Sequence, residues 1–518
     1  MLEEQFTKLS DLYETNNIIA VWGDDFRYNA IEEWFGTFTD YFESLERWYT
    51  DHSREPPTLS GDFFPYQCAL GDMWTGYYTT RPFYKRKERE LHAMIRSADL
   101  LSANAMKLMS ASERIWIQQN LQSARRNLSL FQHHDAITGT SKKHVMSNYA
   151  QILFTAMHTA SKCLQRSMQA IYKELFQMNE IPLQYNETTS KLPILLDPHK
   201  KISVAIFNSI ERKRVEIIEL ILSTPSVSVT LNGRAVEAQI EPHIDPVTNA
   251  LSTYYKVPFA SQFYLLVSCS LFSTLCLLSL IGCESDQLRE ILCRMKRNLS
   301  FNLLVFRVLL PPLSTEIFVI SYDHQSTQHT HIADILFVSN ENANTSEFEK
   351  SLLVIIADHF QKLRNFNITR IKPDEFLIET ESVKTTHSAD SGLITSLPLI
   401  DLRRFIVKGP VQQSAYILSK YITQKIALHN IEGNEGEQLH ISMRVDIRGF
   451  NNMELITRFS SDLHSNSTQF YTDSNGFQLL KREYNHNLPV NANYYPMPTA
   501  AVLQDDSRRI TIVSDVGH

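Results

Sequence analysis

His133, His134 and Asp135 stand side by side and set two imidazoles next to a carboxylate. Neutral imidazole is a good zinc ligand, and its second nitrogen is usually fixed by an acceptor such as a carboxylate. Neighbouring residues of a helix point about 100° apart, so one of the two histidines is expected to bind a metal directly. On spacing alone, a polar helix end accounts for the triplet more simply. A second group lies in Gly23-Asp24-Asp25-Phe26-Arg27. Two close carboxylates repel, which raises one pKa and keeps a proton available for a leaving group. Arg27 would act the other way, and the order of residues leaves both effects open. Trp74, Tyr77 and Tyr78 flank Gly76 with aromatic faces on which sugar C–H groups could stack. On the residues alone, core packing is the better account of such rings.

These residues need elements to position them. Ile18-Ile19-Ala20-Val21-Trp22 is short and β-prone, and Gly23 stops it, so Asp24 and Asp25 follow the carboxyl end of a strand. Ligands of α/β folds gather at such ends, although a solvated turn has the same composition. From 83 to 181 there is no proline and one glycine, Gly139. Leu91, Met94, Ile95, Ala98 and Leu101 keep helical spacing, as do Val145, Tyr149, Ile152, Leu153 and Ala156. The pattern predicts three helices in a bundle, with Gly139 in the break between the second and third. The triplet 133–135 then sits near a helix end, free to reach a neighbouring domain. Beyond about residue 200 the period changes to two. Val227, Val229 and Leu231 alternate before Asn232-Gly233, a hairpin turn. Ile441, Met443, Val445 and Ile447 alternate, then Met453, Leu455, Thr457 and Phe459. This half is expected to be mostly antiparallel and sandwich-like.

The chain has 518 residues, 43% hydrophobic and 21% charged, with a net charge of −7. That length suggests roughly three domains. Without clustered Lys and Arg, nucleic acid is excluded as a partner. Six cysteines and no CxxC pair give neither a disulfide framework nor a cysteine zinc cluster. The first residues have neither the basic nor the apolar region of a signal peptide, while sequons at Asn186, Asn344, Asn367 and Asn466 point weakly to the secretory route. Residues 257–283 carry no charge and are long enough to span a bilayer. Their serines and cysteines make them only moderately apolar. Membrane association through 257–283 is therefore a minor expectation, and foreign sequence over 258–305 the main one.

Several segments, taken in order, resemble glycoside hydrolase family 38, in its Golgi-type α-mannosidase branch. They are Ser60-Gly61-Asp62-Phe63-Phe64, the run from Trp74-Thr75-Gly76-Tyr77-Tyr78 through Arg81-Pro82-Phe83-Tyr84-Lys85-Arg86, and Phe131-Gln132-His133-His134-Asp135-Ala136-Ile137-Thr138-Gly139-Thr140. Phe470-Tyr471-Thr472-Asp473-Ser474-Asn475-Gly476 and Leu488-Pro489-Val490-Asn491-Ala492-Asn493-Tyr494-Tyr495-Pro496 are similar to its β-sandwich region. The resemblance implies a retaining, zinc-dependent α-mannosidase acting on N-linked glycans on the lumenal side of the Golgi. It implies a multidomain α+β fold: a C-terminal remnant of an α/β barrel over 1–55, a three-helix bundle over 56–185, and a mostly antiparallel β-sandwich region over 200–518 with the insert at 258–305. Carried over, Asp25 is the general acid/base, His134 a Zn2+ ligand, and Asp135 a substrate-binding carboxylate. Trp74 is a wall of the sugar pocket, and Asp24 and Arg27 are neighbours of the acid. The chain also departs from the family. Its first two dozen residues contain no His-x-Asp pair with the nucleophilic aspartate, a helical segment is missing after Trp34, and the continuity from Val257 to Phe306 is broken. This chain is accordingly expected to be inactive, and a non-catalytic glycan- or partner-binding remnant is the alternative.

Overall fold

A computed structural model describes residues 2–15, 17–18, 37–69, 71–176, 194, 196, 199, 201–245, 250–251, 263–268, 302–323, 329–338, 366–372, 377–379, 384–386, 403–418, 422–445, 456–459, 461–464 and 469–518. Residues 1–64 and 65–518 form two compact units.

The first unit holds α1 (Leu2–Ser10) and α2 (Phe38–Asp51). Thr37 caps α2: its hydroxyl accepts from the Asp40 amide, and the Asp40 carboxylate accepts from the Thr37 amide at 2.7 Å. This reciprocal pairing satisfies two donors that the first helical turn leaves open. Ser44 donates to the Asn17 side chain at 2.6 Å, and Arg54 pairs with Glu14. All but the first residue of the strand expected at 18–22, and the residues Asp24, Asp25 and Arg27, lie outside the described residues.

The second unit begins with a small antiparallel hairpin, Tyr66–Ala69 with Asp72–Trp74. Three long helices follow: α3 (Pro82–Ala105), α4 (Ala111–Phe131) and α5 (Lys143–Phe176). Pro82 opens α3, where its missing N–H has no helical partner to lose. Ser110 and Glu113 form a capping box at the start of α4. Leu91, Ile95, Ala98 and Leu101 of α3, Ile117, Leu121 and Ala124 of α4, and Leu153, Ala156, Ala160 and Leu164 of α5 are buried at intervals of three or four. Those intervals keep one stripe of each helix inward.

The β region is built of mostly antiparallel sheets. A five-stranded sheet runs in the order Phe263–Ser268, Lys201–Asn208, Thr315–Tyr322, Val227–Leu231, Arg234–Val236. A four-stranded sheet runs Thr330–Ile332, Ala238–Pro242, Asn302–Leu310, Arg214–Leu222. Val204, Ile206, Val229 and Phe318 of the first share one core with Leu220, Ile240, Leu304 and Phe306 of the second. The opposite face of Lys201–Asn208 presents Ala205 and Phe207 to Leu101, Leu164 and Met168 of the helices. That strand is covered on both sides, so Val204-Ala205-Ile206-Phe207 is a continuous apolar run. The expected hairpin is present: Asn232 (φ 52°) and Gly233 (φ 77°) both take left-handed torsions, and Leu231 pairs with Arg234.

The foreign insert expected at 258–305 includes residues that the structure describes at its C-terminal end. Residues 302–305 belong to strand Asn302–Leu310, which pairs with Arg214–Leu222 and Ala238–Pro242, and all four are buried. Leu303-Leu304-Val305 continues the apolar run of a central strand. Phe263–Ser268 pairs in parallel with Lys201–Asn208 at the sheet edge. Among the described residues no helix is long and apolar enough to cross a membrane. Residues 269–300 lie outside them, as do 446–455 with the expected Ile447, Met453 and Leu455.

A six-stranded sheet, from Ile368–Ile371 to Leu439–Val445, meets the four-stranded one through a polar seam. The Gln239 side chain accepts from the Val411 and Gln412 amides (2.9 and 3.1 Å) and donates to the Gln412 carbonyl (3.0 Å) and Glu241 (2.6 Å). Gln412 donates a second hydrogen bond to Glu241 at 2.8 Å, and Lys425 donates to Glu219 at 2.6 Å. Burial raises the Glu241 carboxyl; Lys425 opposes that shift and Glu219 adds to it. A final antiparallel sheet orders Gln478–Glu483, Gln469–Ser474, Ala500–Gln504 and Arg509–Val513. Asp473 holds its turn by accepting from the Gly476, Thr499 and Ala500 amides.

Candidate functional site

The loop that follows α4 carries the candidate metal ligands. The helix ends at Phe131, and residues 133–141 run through consecutive turns. The Ala136 amide donates to the His133 carbonyl (2.8 Å), and the Ser141 amide to the Asp135 carbonyl (3.0 Å). Gly139 has φ +76°, and a Cβ there would stand 2.7 Å from the Thr80 carbonyl oxygen. Torsion and space both demand glycine.

Because the helix has ended, the divergence of adjacent helical side chains does not apply to this loop. The rings of His133 and His134 lie 4.4 Å apart, and the Nε2 atom of each is 3.5 Å from the same Asp135 oxygen, Oδ2. All three potential ligand atoms lie within 4.8 Å of one another. His134 is 85% exposed, so the group opens outward. The other Asp135 oxygen accepts from the Thr140 hydroxyl at 2.8 Å. That hydrogen bond lowers the Asp135 pKa, desolvation works against it, and the two imidazoles add to the lowering. The result is an ionised carboxylate beside two imidazoles, a donor set that suits a zinc-type cation.

Trp74 closes the hairpin and remains half exposed, with Nε1 donating to Asp72 at 3.2 Å and its ring edge-on to Tyr66. Tyr78 is buried, and Tyr77 packs edge-on against it. Of the three aromatics singled out in the sequence, Trp74 thus offers an open face and Tyr78 belongs to the core. The turn after Trp74 reaches the 133–141 loop through Thr80. Its hydroxyl donates to the Gly76 carbonyl at 2.7 Å, and its carbonyl faces Gly139. Arg81, in a left-handed conformation (φ 51°), donates to the Ser141 carbonyl at 2.5 Å. Lys85 donates to Thr80, Ile137 and Thr138. Sequence reasoning passed over Thr140, Arg81 and Lys85. The available signal was a lysine pair, Lys85 and Lys87, one turn ahead of the apolar stripe that starts at Leu91.

The profile of the alpha mannosidase middle domain matches residues 72–171, which contain Trp74 and the whole 133–141 loop. The profile of the glycosyl hydrolases family 38 C-terminal domain matches 373–517. Alpha-mannosidase 2 of Mus musculus is 28% identical over 99% of this chain and 47% of its own length. Alpha-mannosidase 2 of Homo sapiens is 26% identical, again over 99% of this chain and 47% of its own length. The chain spans about half the length of the curated relatives it matches. A solved protein in glycosyl hydrolase family 38 from Enterococcus faecalis superposes with a TM-score of 0.50 at 11% identity, covering 99% of this chain and 59% of that one. This last likeness speaks for the fold alone. Two domain profiles in their expected order, with relatives aligned along nearly the whole chain, carry the likeness: residues 72–171 and 373–517 match domains of the glycosyl hydrolase family 38 type.

Proposed function

We propose that this chain is the middle and C-terminal part of a zinc-dependent retaining α-mannosidase that trims N-linked glycans in the Golgi lumen. The observation that carries the reading is the convergence of His133, His134 and Asp135 on an open loop inside the middle-domain match. His134 is the zinc ligand of this chain, and Asp135, held ionised by Thr140, accepts from sugar hydroxyls. When bound, zinc supplies Lewis acidity toward those hydroxyls. Trp74 offers its exposed face to the sugar ring. By resemblance, Asp25 is the general acid/base and Asp24 and Arg27 its neighbours; all three lie outside the described residues. Retention requires a second carboxylate about 5–5.5 Å from the acid.

The residues that precede Asp25 contain no segment resembling the family's His-x-Asp and nucleophile region, so we propose that the chain alone does not turn over. The test is zinc titration of the chain and of His134→Ala, followed by assay on an aryl α-mannoside with added zinc. Zinc binding that depends on His134, without turnover, is expected. Zinc-dependent turnover would overturn the inactivity. Glycan binding with no affinity for zinc would favour the non-catalytic remnant.

A further inference from the structure

We propose that Lys85 is a positioning residue for the loop bearing His134 and Asp135, locking it in register with the turn that follows Trp74. The importance of that register for sugar binding rests on the mannosidase reading; the lock itself rests on geometry.

The Lys85 side chain lies in the first turns of α3 and is only 7% exposed. Its ammonium group uses all three donors on backbone carbonyls: Thr80 at 2.7 Å, Ile137 at 2.9 Å and Thr138 at 3.0 Å. No carboxylate among the described residues pairs with it. A buried charge without a counter-charge costs folding free energy even when hydrogen-bonded. The desolvation shows in a pKa lowered from 10.5 to about 8. A lysine that serves only to pack α3 would be better replaced by an apolar side chain of the same length. What the ammonium provides instead is a fixed distance between two segments that are about fifty residues apart.

The hydrogen bonds continue from Lys85 into the candidate site. Thr138, whose carbonyl Lys85 holds, donates its hydroxyl to the His134 carbonyl, and its hydroxyl oxygen stands 3.0 Å from that of Thr140. Thr140 donates to Asp135 Oδ1. Fixing the Thr138 carbonyl therefore fixes the turn that aims His134 and the hydroxyl that orients Asp135. On the other side, the Thr80 held by Lys85 closes the turn begun at Gly76. Arg81 on Ser141 and the close approach of Gly139 to Thr80 pin the same loop at two further points. Second-layer contacts of this kind typically change metal affinity by about 10–100-fold when removed.

The test compares Lys85→Met, which keeps length and apolar volume, with Thr138→Val, which removes only the hydroxyl. Both are measured in the full chain by hydrogen exchange, thermal melting and titration with zinc alone. Lys85→Met is expected to lower the exchange protection of the Ala136–Ser141 amides while α4 and α5 stay protected. It is also expected to weaken zinc binding by about tenfold or more with little change in melting temperature. Thr138→Val should weaken zinc binding in the same direction with the fold intact. If Lys85→Met fails to fold, Lys85→Gln, which keeps a neutral donor but cannot make all three bonds, is measured in its place against the same outcomes. Unchanged loop protection and zinc affinity would overturn the proposal, as would an equal loss of protection throughout the helices. If the unaltered chain binds no zinc, the mannosidase reading fails there, and loop exchange still decides the role of Lys85.

Discussion

Gly409→Ala should cost this protein more than any ordinary glycine-to-alanine change. Gly409 does not adopt left-handed torsions, so space rather than torsion calls for the glycine. A Cβ there would overlap the amide oxygen and carbon of Gln239 and stand 2.9 Å from its nitrogen. Gln239 is fully buried and cannot swing away without abandoning the Val411 and Gln412 amides. Each buried donor left unpartnered costs about 1–3 kcal/mol, so losing both amounts to about 2–6 kcal/mol. Taking about 4 kcal/mol as the centre, exchange protection of amides in strand Gln412–Leu418 should fall by about a thousandfold. Hydrogen exchange read by mass spectrometry measures this directly, and the helices provide an internal control. The double variant Gly409→Ala/Gln239→Ala sharpens the test. Without the Gln239 amide there is nothing to strike, so Gly409→Ala should add less than about 1 kcal/mol to the cost of Gln239→Ala. Wild-type protection in Gly409→Ala, or full additivity in the double variant, would refute the account of the seam.

Other expectations concern single residues. Ser110→Ala removes the hydroxyl that accepts from the Glu113 amide and should cost about 1 kcal/mol, read as a fall in the melting temperature of the helical bundle. Glu241 is fully buried and its carboxyl is raised by desolvation, so the folded state holds a proton that the unfolded state releases first. Its contribution is therefore complete below the unfolded carboxyl value and is lost as pH rises toward the raised folded value. Glu241→Gln should flatten that slope, and denaturation series at several pH values would show it. Phe207→Ala should cost about 3–5 kcal/mol, because the fully buried ring fills the junction between the helices and strand Lys201–Asn208. Urea unfolding that is unchanged in midpoint would contradict that role.

The sequence reveals features whose cause is local. The 3.6 period at 91–101 and 145–156 reports one inward stripe per helix, and those stretches lie in α3 and α5. Asn232-Gly233 announces its hairpin because few residue pairs accept two left-handed torsions. The break at Gly139 is legible for the same reason. Features made by distant partners are not legible. Gln239 meets Gln412 across 173 positions, and neither residue looks exceptional in its own neighbourhood. Arg81 takes a left-handed torsion without being glycine or asparagine, held by its contact with Ser141. The convergence of both imidazoles on one Asp135 oxygen depends on the helix ending at Phe131, before His133. Asp24, Asp25 and Arg27 could be singled out by type alone, and they lie outside the described residues.

The most direct test of the central claim is to locate zinc on the protein. Anomalous scattering at the zinc edge from zinc-loaded crystals of this chain should give its strongest signal at the mouth of the 133–141 loop. That density should lie within coordination distance of a His134 nitrogen and disappear in His134→Ala. Zinc bound elsewhere, or an empty loop at saturating zinc, would contradict the account.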